Sequence, residues 1–375
     1  MKITLNQTIP IYHKQINYHK PMGTKTEQKV SEYTNNIPLN HSNAIYSNIS
    51  FGMDPHISFL LNQSKNFKCA YSGMPMISPF EARTIYQKLA KRPNAQSAIN
   101  FLQQYGKYMH DIESKVFGLF DDSAHKNKRN FQDILIEEAP AALIRLKEKQ
   151  KLILTSTDSI IDKLSNPIAA QIRTIRDEAL LKMEDDTFGR KAPLEAIKKI
   201  QATGSELEKV IQIYRTWYKL PSSGRDIDAF IVKYSKKSHE DIAKRLISSA
   251  IATVEHIKPA SCGGEDNLNN FILVSAQFNN ERNTMPLWEY IMLNPQIDIR
   301  KNLQAYMDTA INLVHDKNSN FYNKSWYPES IRNSIRKQTA GSVNLNTEAL
   351  NLTKAQKRDN NFTERLSSKY RVIQK

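Results

Sequence analysis

Cysteine is scarce: the 375 residues hold two, Cys69 and Cys262. That excludes a disulfide-stapled scaffold and any four-cysteine zinc site. No apolar run approaches the ~20 residues that a membrane span needs. The opening MKITLNQTIPIYHK lacks the apolar stretch of a signal peptide. The expectation is therefore a cytoplasmic protein with no membrane partner, a signal-independent export route being left open. Acidic residues are also short, with 38 Asp and Glu against 53 Lys and Arg, a net charge of +15. An excess of that size suits polyanions such as nucleic acid.

The excess is uneven. Residues 1–65 carry six lysines and three acids, whereas residues 317–375 carry twelve basic residues and four acids. The C-terminal surplus suggests a clamp on a phosphate backbone, insensitive to sequence. At 375 residues the chain exceeds what one core comfortably serves. Residues 1–65, rich in Asn, Ser, Thr and His without a lasting period, read as a disordered leader. Residues 66–78 read as a strand and turn broken by Gly73 and Pro75.

Residues 79–250 show apolar residues at three- and four-residue spacing, which predicts a helical domain. Ser78 with Glu81, and Ser238 with Asp241, have the spacing of helix N-caps. Helices are expected at 158–184, 191–219 and 226–250. Residues 251–292 change character: a β-prone run, a loop rich in Gly, Asp and Asn, a second apolar run, then helix. Residues 293–375 are a helical, basic C-terminal region. The expected fold class is mainly α, a large helical domain with a small ββα module.

The chemistry concentrates in that module. Glu255 and His256 end the first run, Asn270 precedes the second, and Asn279 opens the helix. Pro259 and the Gly263–Gly264 pair can fold the loop back, bringing Asn270 toward His256. Glu255 and Asn279 can then offer oxygens to one hard divalent cation. His256 remains to take a proton from water, which imidazole does near neutral pH. His110, His125, His239 and His315 lack such a setting and read as ordinary core or surface residues.

The string EHIKPASCGGEDNLNNFILVSAQFNNERN resembles the HNH endonucleases of the ββα-metal fold. The likeness rests on Glu255-His256-Ile257-Lys258-Pro259, on Gly263-Gly264-Glu265-Asp266, on Asn270 before Phe271-Ile272-Leu273, and on Asn279 followed by Arg282. It spans about residues 252–290. It implies hydrolysis of DNA phosphodiester bonds, RNA being possible, with His256 as the base and Asn270 fixing loop and ring. It implies Mg²⁺ or Mn²⁺ on Glu255 and Asn279, polarising the phosphate and easing departure of the 3′ oxygen. Lys258 and Arg282 would touch phosphates. Most members have Asp in place of Glu255. Many also carry two CxxC knuckles for a structural zinc. Here the knuckles read Cys69-Ala-Tyr71-Ser72 and Ser275-Ala-Gln277-Phe278, relics for which no zinc is expected, with Tyr71 and Phe278 filling the volume. If the first relic pairs with the second hairpin, residues 79–250 are an insertion within one module. The alternative function is a non-catalytic nucleic-acid-binding or interaction protein that keeps a degenerate module.

Overall fold

Several helices start where a side chain takes up an orphan amide. The computed structural model describes residues 54–124, 129–185, 188–322 and 324–340. Asp54 caps α1 (Pro55–Asn62), Ser78 caps α2 (Pro79–Leu89) and Asn94 caps α3 (Ala95–Leu102). After α4 (Asp111–Ala124), a reciprocal Asn130–Asp133 box opens the long α5 (Phe131–Thr155). Then come α6 (Asp158–Ile161), α7 (Asn166–Glu184), α8 (Lys191–Ile197) and α9 (Gly204–Trp217). Asp226 caps α10 (Ile227–Tyr234) and Ser238 caps α11 (His239–Ser248).

The expected 158–184 helix is two helices, α6 and α7, with Ser165 and Pro167 at the restart. The 191–219 helix likewise divides, because Ile200, Ala202 and the positive φ of Gly204 carry the chain round a corner. α10 packs along α5. A core that includes the fully buried Leu154, Ile161, Ile172, Ile213 and Trp217, joined by Leu293, fills the space among α5 to α9.

Next comes an antiparallel pair, β1 (Ala252–His256) and β2 (Phe271–Ser275), in the register His256↔Phe271 to Ala252↔Ser275. Helix α12 (Ala276–Arg282) follows at once, then α13 (Leu287–Leu293), α14 (Ile299–His315) and α15 (Trp326–Ala340). All five β2 residues are buried. Its free edge is satisfied rather than exposed: Leu273 O accepts from Ala70 N at 3.0 Å, and Leu273 N donates to Tyr306 Oη at 3.2 Å. Tyr327 Oη donates to Phe271 O at 3.1 Å. A covered edge cannot template further pairing.

Of the strand and turn expected at 66–78 the turn forms, closed by a single bridge from Lys68 to Pro75 with no strand, and it packs on the sheet. Ile77 bridges Ile251 in parallel, and Cys69 Sγ accepts from Ser275 N at 3.3 Å. Tyr71 and Phe278 are both buried there. Chain segments more than 170 residues apart thus meet in one small unit, and residues 79–250 leave it and return. The leader expectation fails for its last part, since α1 lies within 1–65. Leu60 and Leu61 are buried, and α1 packs on both strands. The remainder of that leader, residues 1–53, and the basic tail 341–375 lie outside the described residues. Among the described residues no helix is long and apolar enough to cross a membrane.

Candidate active site

The loop between β1 and β2 is locked by one side chain. Asn270 Oδ1 accepts from Lys258 N at 2.8 Å, and its Nδ2 donates to Lys258 O at 2.9 Å and Glu265 O at 3.0 Å. Only an amide can offer an acceptor and two donors in that plane. Gly264 makes the closure possible, because a Cβ there would overlap the Lys258 carbonyl. Gly263 turns the chain with φ +78°.

The folded loop delivers Asp266 to His256. Asp266 Oδ1 lies 2.6 Å from His256 Nε2. The ring of Phe271, the register partner of His256, stands edge-on to the imidazole at 4.8 Å. The His256 side chain is 28% accessible and that of Asp266 72%, so the pair faces outward. Lys258 is half-buried, with its ammonium by Gly263. Sequence reasoning missed Asp266 as a partner of the histidine. The signal was present, a carboxylate ten residues on across a Gly-Gly loop.

β1 sends alternate residues to opposite faces. Glu255 therefore points away from His256 and inward, where it is 4% exposed. Arg282 Nη1 pairs with its Oε1 and also donates to Tyr71 Oη at 3.0 Å and to the His256 carbonyl. Arg282 Nη2 donates to Ile257 O at 2.8 Å. Burial pushes the Glu255 carboxyl up to about 7, against the pull of Arg282. Burial likewise pushes the Tyr71 hydroxyl up.

This geometry corrects two expectations. Arg282 is 1% exposed, and both its terminal nitrogens bond to protein, so it is no phosphate contact. It ties the end of β1 to α12. Glu255 is not an open ligand, because a cation at its carboxylate would have to displace a buried guanidinium of like charge. Asn279, one turn before Arg282, donates from Nδ2 to Thr253 Oγ1 at 3.0 Å and Val254 O at 3.2 Å. Those bonds turn its oxygen away from the strand, and the structure gives that oxygen no protein partner among the described residues. Glu255 and Asn279 together do not fit a divalent ion. Among the described residues, no three His, Cys, Asp or Glu side chains stand close enough to share one.

The His256–Asp266 pair sits on an open face. A hollow of about 260 Å³ lies elsewhere, between α7 and α8, lined by Gln171, Ile175 and Ile200 among others. Compared with known proteins, the chain matches no protein-family model, no curated protein and no solved structure.

Proposed function

We propose that the chain is an endonuclease that hydrolyses DNA phosphodiester bonds, with His256 accepting the proton of the attacking water. The observation that supports this most is the outward-facing His256–Asp266 pair, held at the end of a strand–loop–strand–helix unit by the Asn270 lock. A carboxylate at Nε2 favours the tautomer with its proton there, leaving Nδ1 as the basic nitrogen. Water gives a proton to Nδ1 as its oxygen bonds to phosphorus. The P–O bond to the leaving oxygen breaks, and that oxygen takes a proton from solvent. Asp266 holds the ring and balances the imidazolium charge. Lys258, next to the lock, is the available phosphate contact.

The test is a supercoiled plasmid incubated with the full chain, with Mg²⁺, Mn²⁺ or EDTA, alongside His256→Ala and Asp266→Asn. The wild type should nick or linearise the plasmid. His256→Ala should cut at least ~100-fold more slowly while binding DNA as before. A His256→Ala protein cutting at the wild-type rate would sink the assignment. The closed Glu255–Arg282 pair favours a second reading, a nucleic-acid-binding protein that does not cut. In that case wild type and variant bind alike and both leave the plasmid intact.

A further inference from the structure

Residues 82–110 carry five basic side chains, Arg83, Lys88, Lys91, Arg92 and Lys107, and no acidic one. All five are exposed. Aromatic rings are interleaved with them. Phe101, Tyr105 and Tyr108 form a ladder, with centroids 5.5 Å and 6.4 Å apart. The Arg92 guanidinium lies 5.4 Å over Phe101, and the Lys107 ammonium 5.0 Å over Tyr108. Phe101 is buried and anchors the ladder, whereas Tyr105 and Tyr108 are half-exposed. Gly106 between them has open space where a Cβ would stand.

Both ends of this strip meet the ββα unit. At one end, α2 begins two residues after Ile77, which bridges Ile251 at the root of β1. At the other end the ladder runs into the buried Met109 and into His110, whose ring meets Phe278 of α12 at 5.3 Å. Phe278 precedes Asn279. The chain before α3 is tied to α11, since His239 Nε2 bonds Arg92 O at 3.1 Å. Burial, and then the Glu81 carboxylate at the strip's edge, hold the Tyr105 hydroxyl above its ordinary value.

Rings alternating with cations match a polymer whose flat apolar faces alternate with charges. A single nucleic-acid strand is such a polymer: bases stack on aromatic rings while phosphates take the cations. A duplex hides its bases and would use only the cations. An acidic peptide would need no rings. We propose that the Phe101–Tyr108 turn, with Arg92 and Lys107, is a platform for single-stranded nucleic acid.

The proposal goes beyond the cleavage reading and is tested without it. The full chain carrying His256→Ala is titrated with a fluorescent unpaired oligonucleotide and, separately, with a duplex of the same sequence. Tyr105→Ala and Tyr108→Ala should each weaken single-strand binding by about 5- to 150-fold and leave duplex binding alone. Tyr105→Phe and Tyr108→Phe should bind as before, because stacking needs no hydroxyl. Arg92→Gln with Lys107→Gln should flatten the plot of log affinity against log salt by about 1.4. Unchanged single-strand affinity in both alanine variants overturns the proposal. So does equal weakening toward duplex, or displacement of the strand by polyglutamate at equal charge. A chain that binds through these tyrosines yet never cuts plasmid removes the nuclease reading alone. A chain that cuts but ignores the tyrosines removes the platform alone.

Discussion

Glu255 and Arg282 show how burial redirects a side chain's chemistry. In sequence they are an acid beside a histidine and a basic residue on a helix, types suited to metal and phosphate. In the fold they are 4% and 1% exposed and pair with each other. Removing one partner strands a charge, whereas removing both strands none. Arg282→Met should therefore cost about 3–5 kcal/mol of stability, because a buried carboxyl loses its counter-charge. Glu255→Gln should fall near the lower end, since the amide oxygen still accepts from the guanidinium. The double variant should cost at least ~2 kcal/mol less than the sum. Guanidinium denaturation of the four proteins measures this, and strict additivity would show the pair to be uncoupled. Arg282 also binds Tyr71 at 3.0 Å, a residue 211 positions away. No local pattern separates such an arginine from a solvated one, so its burial was not legible in the sequence.

The elements were more legible than the pairings. The caps at Ser78 and Ser238, the strand–loop–strand–helix order and the Gly-Gly loop could be read because each is a local device with its own residue types. Helix α1 was missed because it follows a long polar, aperiodic stretch, although the Asp54 cap, Pro55 and the apolar Ile57, Phe59, Leu60 and Leu61 are local signals of it. The loop offers a sharp contrast between two glycines. At Gly264 a methyl would overlap the Lys258 carbonyl and crowd Asn270 Nδ2. Gly264→Ala must open the lock and should cost on the order of 3 kcal/mol, releasing Asp266 from His256. At Gly106 a methyl meets nothing. Gly106→Ala should be neutral or stabilise by up to about 1 kcal/mol. Thermal melts of both variants decide, and equal melting temperatures would refute the steric account.

At the scale of the whole molecule, two histidines sit at joints of the helical segment. His110 is 4% exposed, its ring against Phe278 of α12 and its neighbours Glu113, Glu281 and Arg245. His239 Nδ1 accepts from Phe131 N at 3.0 Å while its other nitrogen bonds Arg92 O, with Asp133 and Glu240 nearby. Burial lowers both below the usual 6.5, against the pull of those carboxylates, and His239 Nδ1 carries no proton while it accepts from Phe131 N. An unfolded chain binds those protons more readily than the folded one. The contribution of these two sites therefore holds above about pH 6.5 and declines as the pH falls through it. The slope is at most about 1.4 kcal/mol per pH unit for each histidine. Glu255 acts in the opposite direction, because its raised pKa makes its own contribution fall as the pH rises from 4.5 toward 7. A difference measurement cancels it. Denaturation of the wild type, His110→Gln and His239→Gln from pH 7.5 to 5.5 should show the wild type losing stability relative to each variant as the pH drops. Parallel curves would mean that neither ring is kept neutral by the fold, and that the joint between helical segment and ββα unit does not respond to protons.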